Sequence, residues 1–520
     1  MTTHVVHARA RRWGRTAVAG LLALSVVACS DTPSAPPAAV STLTIAIAGP
    51  PTLDPYKANL DPINIPTVAL AYAPLIRMNA DRTFSGEIAE SFGYSDNQNK
   101  VFHMKIRPGV QFADGTPVDA AAVVASLQYL RKVSPKAQSW LGTIDSITAP
   151  DRSTVVVTNK TPNPVMPLLF SQAVLTGALI SPAGLADPAK LAQQTFGAGQ
   201  YQLDPANTVP NDHYTYTANP RYWNAAETHW KKVVVRVIPD SSATVQAIQA
   251  KQVDYAALNA DAGPAVSAAG LPFVRASVAM VGLVLADRDG TIAPALKDIR
   301  VRQALNYAIN RDAITKTIFG TLARPTSQTA APGFDGYAAA LDNRYPYDPA
   351  KAKSLLTEAG YAGGFTLKVE TQGFLSAITQ AVVAQWKEVG VNVELVTDTQ
   401  VPQWIDHVMS RSFPVAAFGY GNLPTYLTSL DLMRPTPNPF NPFATRDDQL
   451  SALLDAAMAE PDPTRQASVF QQATARAAEL AWLAPVSRID GIGVLGPRVV
   501  GSQTVADNGL PSVLTIRPAQ

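Results

Sequence analysis

The chain has one cysteine, Cys29, in 520 residues. No internal disulfide and no cysteine-ligated metal site can form, so the fold must rest on core burial. Metal-binding histidine spacing is also missing. His4 and His7 lie in the N-terminal segment expected to be removed, and His103, His213, His229 and His407 form no HxH or HExxH pattern, so each reads as a surface or packed residue. His407 is the one that could contribute to holding a metal chelate. No G-x-S-x-G elbow and no phosphate-binding glycine loop occurs, and no catalytic residue and no cofactor is assigned, so an enzyme is not expected. Charge is sparse, at 16% of residues with a formal net +2, and no basic stripe argues for nucleic acid. Only one apolar run is long enough to draw notice, and it is too short to cross a bilayer.

That run is Thr16–Ala28, preceded by Arg9, Arg11, Arg12 and Arg15 and followed at once by Cys29. A positive start, an apolar stretch and small residues are the marks of a secretory signal. About twenty residues are needed to span a membrane core, and this run has about thirteen. The segment resembles the lipobox of bacterial lipoproteins. The resemblance implies cleavage before Cys29 and a lipid on its sulfur, with two acyl chains sufficing for stable anchoring. Loss of residues 1–28 takes four arginines from the formal +2, leaving the mature chain at −2. Residues 29–41 are small and proline-rich, and read as a tether.

Beyond the tether, 47% hydrophobic residues can support two or three domains, and 42 prolines predict many turns. Alternation predicts strands over 42–47, 101–106, 154–158, 232–238, 278–286, 365–370 and 391–396. Helices are predicted over 120–131, 241–251, 301–307, 312–319, 349–359 and 377–389, with Asp240 as a cap and Gly360 as a stop. Strands alternating with amphipathic helices indicate an α/β protein.

Several stretches then occur in a fixed order. They include Gly86-Glu87-Ile88-Ala89-Glu90-Ser91-Phe92, Phe102 to Phe112, Asp114-Gly115-Thr116-Pro117-Val118, Gly197-Ala198-Gly199-Gln200-Tyr201 and Asn219-Pro220-Arg221-Tyr222-Trp223. The sharpest is Asp298-Ile299-Arg300-Val301-Arg302-Gln303-Ala304-Leu305-Asn306-Tyr307-Ala308-Ile309-Asn310-Arg311. Together they resemble the solute-binding proteins of peptide and nickel ABC importers, the bacterial extracellular solute-binding proteins of family 5. The resemblance implies a two-lobed, periplasmic-binding-protein-like α/β fold of type II, in its large cluster with an extra inserted domain. Lobe I would hold 42–76, 196–278 and 490–520, the insertion 77–195 and lobe II 279–489. The segments 278–286 and 485–494 would be the hinge crossings.

It also implies a monomeric, lipid-anchored receptor on the extracytoplasmic face of the cell membrane. Such a receptor takes a small solute, peptide or peptide-like, into an interlobe cleft and passes it to an ABC permease. The runner-up is a lipoprotein of the same fold without transport, a regulator or scaffold in envelope assembly. The implied cleft residues are Gly49 and Thr52 on the lip after the first strand, Tyr72, Trp140 and Trp404 as walls, and Met280 on an aliphatic floor. Phe418, Tyr420, Gly421, Asn422 and Leu423 complete the set. Peptide binders of this family usually carry an aspartate for the ligand's α-ammonium after a glycine–aromatic–glycine stretch. Here Leu423 stands in that place, and Asn422 beside it is expected to bond a neutral polar group.

Overall fold

Two strands of 13 residues, Phe273–Leu285 and Leu483–Leu495, run antiparallel through the middle of the molecule. They belong to a computed structural model that describes residues 42–58, 64–79, 81–398, 401–501 and 512–519. The signal, Cys29 and the tether lie outside the described residues, as does part of the C-terminal tail.

All the large-sheet strands share one hydrogen-bonded sheet. Its order is Val391–Asp398, Phe365–Gln372, Val415–Gly421, Phe273–Leu285, Leu483–Leu495, Tyr255–Leu258, Thr42–Ile47, Lys232–Val237, His213–Ala218 and Tyr201–Leu203, with Ala323–Pro325 added against Leu483–Leu495. The first three strands form a parallel group on one side of the crossing pair. On the other side Thr42–Ile47 is parallel to both its neighbours. A separate antiparallel sheet of four strands, Ala89–Tyr94, Val101–Ile106, Thr154–Asn159 and Ile144–Thr148, lies within 89–159 beside the helix Ala120–Val133.

Local chemistry explains most element ends. Asp240 accepts the amide of Ala243 at 2.7 Å and starts the helix Ser241–Gln249. Gly360, at φ +89°, follows the helix Pro349–Glu358, where a side chain would be strained. Gly197 and Gly199 answer a tight approach instead. A Cβ on Gly199 would lie 2.4 Å from the Ala71 carbonyl carbon, and the Gly199 amide donates to Ala71 O at 2.9 Å.

The largest departure from the sequence-based expectation is the first crossing strand. It starts at Phe273, five residues before the expected 278, because Phe273–Ser277 is partly exposed, mixes Arg275 and Ser277 with apolar residues, and owes its extension to pairing with Asp490–Val494. Several helices with no counterpart in the sequence reading also appear, the longest being Val401–Met409, Thr425–Leu432, Asp448–Ala459 and Pro463–Glu479.

Candidate functional site

The registers of the crossing strands locate a gap between the two groups of strands. Leu258 pairs with Ile492, which pairs with Arg275. On the opposite side, the strand Val415–Gly421 ends where Gly421 pairs with Ala279. Ala276, Ser277 and Val278 therefore lie between the edge of one group and the edge of the other, next to a register shift at Ser277/Ala279. Two strand C-termini converge on this span. Thr42–Ile47 ends two register rows from it, across the strands Tyr255–Leu258 and Leu483–Leu495, and Val415–Gly421 ends beside it. Crevices at the carboxyl ends of strands in α/β sheets are where ligands bind.

The segments leaving those two C-termini are the ones read from the sequence. Gly49 is half-buried, as is Thr52, whose amide donates to Asn64 Oδ1. On the other side Gly421 is exposed, and Asn422 and Leu423 are half-buried. Asn422 is fully engaged rather than open to a solute. Its amide nitrogen donates to Ser277 O at 2.8 Å and Ser277 Oγ at 3.0 Å, and its Oδ1 accepts from Arg488 Nη1 at 2.8 Å.

Arg488 and Asp490 are the polar residues that sequence reasoning passed over. Both are buried, at alternate positions of the second crossing strand. Arg488 Nη2 donates to the carbonyls of Gln328, Thr329 and Ala330, so the guanidinium binds that loop and Asn422 together. Burial brings its pKa down to about 10, which leaves it charged at neutral pH. Asp490 is raised by burial, and Arg275 Nε lies 3.9 Å from it. Two charged residues two apart in an otherwise apolar buried strand were the available signal.

Phe418, Tyr420 and Trp404 are brought together around a residue not singled out, Phe440. Their ring centroids lie 5.8, 5.5 and 6.4 Å from the Phe440 ring. Tyr420 Oη donates to Asp431 Oδ2 at 2.9 Å. Met280 pairs with Tyr420 on one neighbour and with Arg488 on the other, and is buried. Tyr72 and Trp140 are interior residues, 3% and 0% exposed. Tyr72 lies over Gly197 and accepts from the Phe196 amide at 3.3 Å, and Trp140 closes the short helix Pro135–Trp140. Neither is placed as a cleft wall. The exposed aromatic ring near the gap is instead Phe374, 72% exposed, which lies against Gly419.

One further contact joins segments distant in sequence and away from the crossing strands. Arg82 sits 3.8 Å over the Phe334 ring and donates to Gly333 O.

Among known proteins, the chain matches the family described as "Bacterial extracellular solute-binding proteins, family 5 Middle" over residues 83–435. The glutathione-binding protein GsiB of Escherichia coli O1:K1 / APEC is 29% identical over 355 residues, covering 66% of this chain and 67% of GsiB. Two solved structures are similar in fold. The binding protein AgaA of A. tumefaciens R10, bound to agropinic acid, has TM-score 0.77 and 23% identity over 92% of this chain and 99% of AgaA. The Escherichia coli murein tripeptide-binding protein MppA has TM-score 0.77 and 22% identity over 93% of this chain and 99% of MppA. The architecture is thus the two-lobed periplasmic-binding-protein fold of this type. No helix among the described residues is long and apolar enough to cross a membrane. The chain belongs to the bacterial extracellular solute-binding proteins of family 5, the solute-binding components of ABC importers for peptides or related ligands.

Proposed function

We propose that this protein is a lipid-anchored receptor that closes two lobes over a small peptide or peptide-like solute and delivers it to an ABC permease. The observation that carries the reading is the gap at Ala276–Val278, bridged by two strands and flanked by two strand C-termini. Lobe I would comprise 42–76, 196–278 and 490–520, with 77–195 inserted, and lobe II 279–489. The solute would meet Gly49, Thr52, Gly421 and Leu423, with Phe374 as an apolar lid residue. Ligand shifts the open–closed balance only through contacts it gains on closure. Cys29 would carry the anchor, and the N-terminal peptide of protein from the native membrane should show the mass of a diacylglyceryl thioether.

The test is thermal unfolding in the presence of glutathione, short free-amine peptides and opine-type sugar–amino-acid conjugates. A solute at 100 times its Kd should add about 2.7 kcal/mol. No stabilisation by any of these classes would count against peptide-like cargo.

Specificity makes a further prediction. Leu423→Asp restores a carboxylate where peptide binders of this family carry one. Affinity for a free-amine dipeptide should rise about 10-fold, or ~1.4 kcal/mol, with no change for an N-acetylated one. Calorimetry showing equal affinities for wild type and variant would remove Leu423 from the ammonium subsite.

A further inference from the structure

Glu370, Asp398 and His407 are far apart in sequence and meet in space. Glu370 lies on the strand Phe365–Gln372, and Asp398 ends the parallel neighbour Val391–Asp398. The register sets Gln372 opposite Asp398, which brings the two carboxyl groups to the same end of the pair. His407 comes from the helix Val401–Met409, packed across both strands. Its Nδ1 lies 2.8 Å from Glu370 Oε1 and 3.1 Å from Asp398 Oδ2, and one ligand atom from each residue fits within 4.8 Å of the other two.

Burial makes this trio unlike a surface acidic cluster. The Glu370 side chain is 0% exposed and that of Asp398 3%. Among the described residues no lysine or arginine forms an ion pair with either one. The nearby Lys368 ammonium instead sits 4.4 Å over the Phe413 ring. Glu370 Oε2 is fully buried and meets no hydrogen-bond partner among the described residues. Two adjacent buried carboxylates cannot both stay ionised without a compensating positive species.

We propose that Glu370, Asp398 and His407 bind a divalent cation of the zinc or manganese class. Metal–ligand bonds of about 2.0–2.2 Å at octahedral to tetrahedral angles put donor atoms about 2.8–3.6 Å apart, and the imidazole–carboxylate distances of 2.8 and 3.1 Å fall at the short, octahedral end of that range. One imidazole and two carboxylates, with no sulfur, suit these ions better than copper(I). The His407 side chain is 40% exposed, which gives the ion a route from solvent. Once bound, the ion joins two strands and a helix at three points and supplies the positive charge that the two buried carboxylates lack. No residue of the Ala276–Val278 gap takes part.

The test uses the mature, tag-free protein stripped with EDTA and titrated calorimetrically with ZnCl2 and, separately, MnCl2. We expect one ion per chain at micromolar Kd or tighter for at least one of the two, with a raised unfolding temperature. His407→Ala and Glu370→Gln should each weaken binding about 100-fold. His407 is partly exposed, so His407→Ala keeps the test valid if Glu370→Gln does not fold. Absence of binding of both ions up to about 1 mM, or unchanged affinity in His407→Ala, overturns the site. Neither result bears on solute capture, which has its own assay.

Discussion

Arg488→Met is expected to lower stability by about 3–5 kcal/mol, a size associated with breaking a buried charged network from one side. The guanidinium donates to Asn422 Oδ1 and to three successive carbonyls, Gln328 to Ala330. Methionine has similar volume but no donor, so the side-chain oxygen and the three carbonyls lose a partner together. Each buried polar group left unsatisfied costs about 1–3 kcal/mol. Removing a desolvated cation returns part of that, and the sum is not four full penalties. Arg488→Lys keeps the charge but not the planar fork, so it should recover only part of the loss. Urea unfolding of the three proteins checks the order wild type, Lys, Met. Equal stability of wild type and Met would mean that the loop 328–330 and Asn422 hold their places unaided.

Gly282→Ala should cost about 2–3 kcal/mol, an overpacking penalty. Gly282 sits at a register shift of the crossing strands, against the backbone of its partner. A Cβ there would lie 2.4 Å from Ala484 O and 2.7 Å from the Pro485 Cα. Both are backbone atoms, so no side chain can rotate away and the strands must part. Gly93 in the small sheet is the control, since a Cβ there meets nothing within 4 Å. Gly93→Ala should be neutral or slightly stabilising through the unfolded chain. A pair of indistinguishable unfolding curves for the two variants would refute the close-approach argument.

Much of this was legible in the chain. The strand 42–47, the helix opened by Asp240 and the stop at Gly360 follow from alternation, capping and backbone freedom, which act over a few residues. The crossing pair was legible only in part. Val278 onward is apolar and reads as a strand, whereas Phe273–Ser277 becomes one through pairing with a segment over two hundred residues later. Tyr72 and Trp140 show the opposite error. Large aromatics have the same appearance in a sequence whether they line a cleft or fill a core, and these two fill it. The gap could be placed from the segments after Ile47 and after Gly421. Its buried polar residues, Arg488 and Asp490, needed the register. The Glu370–Asp398–His407 trio was invisible for the same reason, because parallel pairing across an intervening helix leaves no fixed spacing to recognise.

The two lobes are continuous through one hydrogen-bond ladder that narrows to the two crossing strands at Ala276–Val278, with Asn422 and Leu322 bonded at its margins. On the proposed reading, opening and shutting would be flexure of a narrow ribbon, which would act as an elastic element in series with every cargo. Its bending energy would be subtracted equally from the affinity of each solute. A substitution that relaxes the ribbon toward the bent form should multiply all affinities by one common factor, leaving their ranking untouched.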